Sequence, residues 1–472
     1  MAKVAIIGAG SIVFTKQFLN DMFNTPCMAG STYSLMGPTM WKLEKMKEYA
    51  DLLIKKNGID ATVECTTDRR VALKGADFVI LTFQIGGDKA YEYDIEIPMK
   101  YGIDQCIGDS MGPGGVFRVL RVAPVMMGIW NDMKDLCPDA YVLNYVNPMG
   151  AVCTTIARAT GMKAVGLCHG VQTTMTLISG YLGIPVEEID YVNAGINHMD
   201  WFLTLEHKGK DLYPKFRELM EKPEYYKNEK VRGEVMRECG YFMTESTGHL
   251  SEYLPWFRSS ERALKQYCDE PMFGGEHGAY LKFNKMIHEK FRTTDVLSIE
   301  SGELEPRSKE YCSYIIEAIV TGKPFKFSGN VSNAPGYITN LPRNATVEVS
   351  VYADKTGLHP TFIGDLPMQC AAMNQSNLTT QGLAAQAAIT GDPELAFWAI
   401  AMDPLTCTKV TLAECRRMVK EMFEAEKQWL PQFEGKTLKD VPDIVVPEGT
   451  VPVAVPEDPA LAIDNRFGKL AQ

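Results

Sequence analysis

The chain opens "MAKVAIIGAGSIVFTKQFLNDMF", and the glycines at Gly8 and Gly10 constrain the fold more than any other stretch. Lys3–Ile7 is a short β-branched run that reads as a strand, and "FTKQFLNDMF" carries the apolar spacing of a helix. A strand that turns sharply into a helix needs residues without a Cβ, and the helix then points free N–H groups back at the turn. Strand, GxG turn and helix in that order predict a dinucleotide-binding α/β sheet with a pyrophosphate at the turn. A second expectation of that reading fails. The next strand, "STYSLM" (Ser31–Met36), should end in an acid that holds the ribose hydroxyls, yet it ends in Gly37-Pro38. Either other groups hold the adenosine ribose or it is held less tightly, and the choice between NAD and NADP stays open.

Strands and helices continue to alternate. "ADFVILTF" (Ala76–Phe83), "AYVLNYVNP" (Ala140–Pro148) and "KAVGLC" (Lys163–Cys168) read as strands, with helices at Val122–Leu136 and Thr174–Gly183. This repetition predicts an α/β fold, a Rossmann-like mostly parallel sheet with helices on both faces. Beyond about Tyr191 the rhythm fades into mixed α+β structure, with helices at Glu310–Gly322 and Met368–Thr390 and a strand entering a turn over Ala345–Gly357. The expected organisation is a dinucleotide-binding region over 1–190 and a mixed α+β substrate and metal region over 191–435, parts of which can return to the first. A Pro-rich tail, "VPDIVVPEGTVPVAVPEDPA", falls within 436–472.

Composition removes several classes. The net charge is −11 and no Lys/Arg tract offsets it, which argues against nucleic-acid partners. No apolar run approaches the roughly 18 residues of a membrane span, and "MAKVAIIGAG" lacks the form of a signal peptide. A cytoplasmic location is expected. The 12 cysteines have no paired spacing, so most should be reduced thiols packed as small hydrophobes.

Three polar residues stand at or just past apolar runs: Asn147 after "LNYV", Cys168 after "AVGL" and His198 in "GINHMDW". Ligands of open parallel sheets gather at the carboxyl ends of the strands. Taken singly, each has a plain explanation as a turn asparagine, a buried thiol or a core histidine. A cysteine and a histidine together suit a borderline transition metal, and two ligands leave positions open for water or vicinal hydroxyls. A structural zinc site would show four ligands at short spacing. A second cluster is "CIGDSMGPGGVFRVLR" (Cys106–Arg121). Gly112–Gly115 should form a rigid bend before a helix carrying Arg118 and Arg121, with Asp109 as an acid or a cap. A third is "TESTGHLSEYLPWF" (Thr244–Phe257). It gathers His249, Glu252, Tyr253 and Trp256 as a sugar pocket, or as an acidic helix beside aromatic core.

In order along the chain, "GAGSIVF", "ADFVILTFQIGG", "IGDSMGPGG", "LNYVNPM", "GLCHGVQ", "AGINHMDWF" and "YFMTESTGHLSEYLPWF" resemble glycoside hydrolase family 4. These are the NAD- and divalent-metal-dependent glycosidases, and the likeness is greatest to the α-galactosidase (melibiase) branch. The resemblance spans roughly Ala2 to Phe433 and implies a soluble homodimer or homotetramer acting on a small α-glycoside. It implies dinucleotide contacts from Gly8, Gly10, Ser11, Ile12, Phe14, Gln84 and Asn147, and a metal, expected to be Mn2+, on Cys168 and His198. Substrate would meet Asn147, His169, Asn197 and Arg118. Asp109 would assist departure of the glycosidic oxygen. The base, usually a tyrosine, falls to Tyr253 or to His249, with Tyr253 preferred as the stronger base.

The implied reaction differs from the two-carboxylate scheme of most glycosidases. C3 is oxidised by NAD+, the C2 proton leaves, the leaving group is eliminated, water adds and the hydride returns. Where the α-galactosidase pattern has "CHS" this chain has "CHG", and Gly170 should open space beside the sugar. That space makes α-glucosides, α-galacturonides and α-glucuronides the competing substrates. A malate-type dehydrogenase without a metal and a non-enzymatic nucleotide-binding regulator are the readings from other classes.

Overall fold

The β-branched runs become the centre of one sheet. In the computed structural model, which describes residues 1–294, 301–453 and 466–468 and all their side chains except those of Ile12 and Val13, twelve strands join in a single sheet. In chain order these are β1 (Lys3–Ile7), β2 (Ser31–Met36), β3 (Ala61–Thr66), β4 (Phe78–Leu81), β5 (Tyr141–Asn144) and β6 (Lys163–Gly166). Then come β7 (Asp190–Ile196), β8 (Met199–His207), β9 (Lys210–Asp211), β10 (Phe325–Ser332), β11 (Thr346–Asp354) and β12 (Gly357–Pro360). Spatial order is β3-β2-β1-β4-β5-β6-β10-β11-β7-β8-β9, with β12 on β11.

The first six strands pair in parallel, as the βα alternation requires. Val4, Ala5 and Ile6 are wholly buried because helices cover both faces of β1. From β10 onward pairing turns antiparallel. The fading rhythm after Tyr191 is thus a change of strand direction within the same sheet. β7 and β8 form a hairpin closed by Asn197-His198, between the paired Ile196 and Met199.

Gly112–Gly115 do not form the expected bend. They are the buried first turn of a helix over Gly112–Leu136, which begins ten residues before the span read from the sequence. A Cβ at Gly114 would overlap the Gly108 carbonyl, and one at Gly115 would overlap the backbone of Ser110. The glycines therefore let this helix lie directly on the loop that carries Asp109. Arg121, on the same helix, is buried with Asp94 and Glu426 and accepts no substrate role; it donates to Asp94 at 2.8 and 2.7 Å and also pairs with Glu426.

Met1–Leu438 form one compact unit and Lys439–Gln472 a second. In the second, Val445, Val451 and Val453 are exposed and without regular secondary structure; residues 454–465 and 469–472 of the Pro-rich tail lie outside the described residues. Among the described residues no helix is long and apolar enough to cross a membrane.

Candidate active site

The loop after β1 is built to meet an anion. Gly8 has φ +99, and a Cβ there would overlap the Thr82 carbonyl at the end of β4. Its amide and that of Ala9 both donate to the Met36 carbonyl, which fixes the turn. The helix Ile12–Phe23 that follows has Ser11 at its N-cap without a side-chain cap, so its first N–H groups remain available. Gly37, in place of the expected acid, stands 3.7 Å (from a Cβ built on it) from the Gly10 amide. Phe14 packs on Phe18 and Tyr145 with ring centres 5.7 and 5.8 Å away. Gln84, past the end of β4, accepts from Arg118 Nη2 at 3.1 Å.

Three groups that can hold a metal converge beyond the carboxyl end of β6. Cys168 Sγ, His198 Nε2 and Glu245 Oε1 belong to a set whose ligand atoms all lie within 4.8 Å of one another. Cys168 Sγ is 3.6 Å from Glu245 Oε1, and His198 Nε2 is 3.9 Å from the same oxygen. Bonds of about 2.0–2.3 Å to one ion give ligand separations of roughly 3–4 Å, so the three donors fit a single divalent cation. Among the described residues, His198 and Glu245 are two of four non-glycine residues with positive φ, at +66 and +74. Left-handed backbone costs a side-chain-bearing residue of order 1–3 kcal/mol, and such strain gathers where a side chain must be aimed. Glu245 escaped the sequence reading because "TESTGHLSEY" holds two glutamates and nothing in its spacing separates them.

The electrostatics fit the same cation. Burial pushes the His198 imidazole down to about 4, against the pull of Glu245, so it is neutral at pH 7. Burial opposes ionisation of Glu245, but the imidazoles of His198, His249 and His169 and the Arg232 guanidinium outweigh it and hold the carboxyl at about 2. Burial, with Glu245 and Glu348 nearby, pushes the Cys168 thiol well up. A divalent cation is the charge that would replace that proton.

The helix Thr247–Tyr253 organises the surrounding groups. Ser246 caps it, and His249 Nδ1 is 3.0 Å from Ser246 Oγ and 3.5 Å from Glu245 Oε2. Tyr253 Oη lies 3.2 Å from His198 Nδ1, on the far side of the ring from the metal-facing nitrogen. Burial first, then Asp109, pushes the Tyr253 phenol well above its ordinary value. Glu252 is not part of a sugar pocket: it accepts from the amides of Ile107 and Gly108 at 2.6 and 3.0 Å and so straps down the Asp109 loop. Trp256 is 55% exposed and edges a separate groove of about 1160 Å³, shared with Arg262 and Met402. That groove contains none of the metal-facing residues, because the chain turns away from the site after Tyr253.

Asp109 is buried, accepts from Ser110 Oγ at 2.6 Å and lies 3.7 Å from Arg118 Nη1. Among the described residues Arg118 Nε is buried without a partner, and so is Asn197 Nδ2, one residue before His198. His169 is largely exposed with Nδ1 3.7 Å from Glu310, and Asn147 accepts from the Met149 amide at 3.2 Å. Tyr280 joins the site without any signal in its surrounding sequence; burial, then Asp109, pushes its phenol up to about 12. The open space expected at Gly170 is absent. A Cβ there would overlap Glu245 Oε1 and come 3.6 Å from Cys168 Sγ.

Known proteins resemble this chain over most of its length. Residues 3–184 match the model described as "Family 4 glycosyl hydrolase", and residues 193–406 match its C-terminal domain. The chain is 37% identical over 435 residues to an alpha-galactosidase of Bacillus subtilis (strain 168), covering 92% of this chain and 100% of that one. It is also 37% identical over 442 residues to an alpha-galactosidase of Rhizobium meliloti (strain 1021), covering 91% and 89%. A crystal structure of a 6-phospho-alpha-glucosidase from gut microorganisms, in complex with NAD and Mn2+, superposes with a TM-score of 0.75 at 20% identity. That match covers 91% of this chain and 99% of the other. With a dinucleotide loop, a metal-binding triad and two matching halves, the chain belongs to glycosyl hydrolase family 4, the NAD- and divalent-metal-dependent glycosidases.

Proposed function

We propose that the chain hydrolyses terminal α-D-galactosides, with NAD and Mn2+ as its cofactors and a homodimer or homotetramer as its working form. The observation that carries the catalytic reading is the meeting of Cys168, His198 and Glu245 with Asp109 and the Gly8 loop at one edge of the sheet. The two alpha-galactosidase relatives and the α-galactosidase-like motif run support the galactoside.

When bound, NAD+ would supply hydride transfer and a divalent ion would supply Lewis acidity at the sugar. The chain's own residues do the rest. Cys168 and His198 would hold the ion. The glycine turn and the uncapped helix after it would seat the pyrophosphate, and Ser11, Ile12, Phe14, Gln84 and Asn147 would serve the rest of the dinucleotide. Asp109, held by Ser110 and Arg118, gives a proton to the departing oxygen at C1. Asn197 and Arg118 keep unpartnered buried N–H groups for substrate hydroxyls, and His169 closes the exposed side.

In place of the Tyr253 preferred from sequence, His249 takes the C2 proton in this reading, and Tyr253 holds His198. Support comes from the hydrogen bonds: Tyr253 Oη is already paired with His198 Nδ1, whereas Ser246 and Glu245 orient His249 through Nδ1 alone. His249→Gln should abolish solvent exchange at C2, while Tyr253→Phe should slow it less; the reverse order makes Tyr253 the base.

Substrate class is tested with p-nitrophenyl α-galactoside, α-glucoside, α-galacturonide and α-glucuronide, assayed with NAD+, Mn2+ and reductant. The galactoside should lead. A preference for either uronide overturns the substrate and leaves the chemistry standing.

A further inference from the structure

We infer that Gly170 and Glu245 form one device: the missing side chain at 170 admits Glu245 to the metal as a third protein ligand. This rests on the metal reading above and extends it to a residue pair. Gly170 opens the helix Gly170–Leu182, and its amide is 3.4 Å from Cys168 Sγ. A Cβ built on it would overlap Glu245 Oε1, the oxygen that faces both Cys168 and His198. The carboxylate therefore occupies the volume that a side chain at position 170 would enter.

Several independent features aim Glu245 at that volume. Its backbone is left-handed at φ +74, a conformation that a glutamate adopts only under constraint. Its other oxygen, Oε2, lies 3.5 Å from His249 Nδ1, so one carboxylate faces the metal-holding groups on one side and the histidine on the other. Its side chain is only 12% exposed. With a thiolate from Cys168, the carboxylate balances the two charges of a divalent ion in a buried pocket. A cysteine–histidine pair alone would leave the ion one charge short of neutrality.

Glu245 is thus both a ligand and a positioning residue for His249. The two roles separate in measurement, because metal affinity reads the first and the pH profile of turnover reads the second.

The test uses the full chain freed of metal and titrated with Mn2+, with free ion followed by electron paramagnetic resonance. Gly170→Ala and Glu245→Ala should each weaken Mn2+ by about tenfold or more. Gly170→Ala placed on Glu245→Ala should add less than about twofold, because the group it displaces is gone. Glu245→Gln keeps the shape and should also lose affinity. A Cβ at the start of a helix favours the helix, so the melting temperature of metal-free Gly170→Ala should not fall while its affinity does. The inference is overturned if Gly170→Ala binds Mn2+ like wild type, if Glu245→Gln does, or if the two alanine effects simply add. Cys168→Ser serves as the control. Mn2+ affinity that survives Cys168→Ser removes the metal reading itself, whereas loss there with no effect at 170 and 245 removes only this inference.

Discussion

Gly8 and Gly10 look equivalent in the sequence, and the structure separates them. Gly8 sits at φ +99 with its missing Cβ directed into the Thr82 carbonyl, a backbone atom that no rotamer change can move. Gly10 has no such φ, and a Cβ there would rest 3.4 Å from Lys42 Cβ, ordinary contact distance. Gly8→Ala therefore carries a backbone penalty of about 1–3 kcal/mol plus the cost of pushing β1 and β4 apart. A loss of roughly 2–4 kcal/mol in the NAD-free protein follows. The displaced turn should also weaken NAD+ by about tenfold or more, since about 1.4 kcal/mol of misplaced amide contact is a factor of ten. Gly10→Ala should leave unfolding within about 0.5 kcal/mol of wild type and act on NAD+ alone, where its methyl enters the path of the pyrophosphate. Urea unfolding without cofactor and NAD+ titration by calorimetry measure the two effects separately. Equal stability of Gly8→Ala and wild type would refute the argument, because the overlap with Thr82 is its whole basis.

Three further outcomes follow from buried charges and the nucleotide loop. Asp104 is paired with the fully buried Arg258 and with His277; burial opposes its ionisation, yet these partners hold its carboxyl at about 2 against an ordinary 3.8. A lowered acid stabilises the fold above its unfolded value, so about 2 kcal/mol should be lost as pH falls from about 4 to 2, and Asp104→Asn should flatten that slope in acid unfolding curves. Arg121→Met leaves Asp94 and Glu426 facing each other in the core, and should cost about 3–5 kcal/mol in denaturant unfolding, more at high pH where both must ionise. With Gly37 in place of an acid and Lys42 against Gly10, NADP+ should bind within about tenfold of NAD+ in calorimetry, and Lys42→Ala should weaken NADP+ selectively.

Much of the dinucleotide half was legible because each β-branched run ends where a functional residue begins. Cys168 and Asn147 could be found from strand ends alone, since parallel strands deliver their carboxyl ends to one edge. The second half was harder. Its strands join the same sheet in reverse, and apolar runs such as "IDYVNAGI" carry no mark of direction. His198 was visible as a histidine after such a run, but its place in a two-residue hairpin turn at positive φ was not. Glu245 was hidden because it depends on contact across 75 residues of chain with Gly170. A glycine reads as space until the atom that fills the space is known. Tyr280 was hidden for the same reason: "HGAYLKF" is an unremarkable helix start until the Asp109 loop packs beside it.

The central claim is that the sugar is oxidised and re-reduced during a net hydrolysis. The most direct measurement runs the reaction in D2O with NAD+ and Mn2+ and examines the sugar released by proton magnetic resonance, while absorbance at the NADH band is followed. The account predicts deuterium at C2 of the product and no net accumulation of NADH, because the proton removed at C2 exchanges with solvent and the hydride returns to C3. Product that keeps its full C2 proton signal, with turnover indifferent to NAD+, would contradict the account.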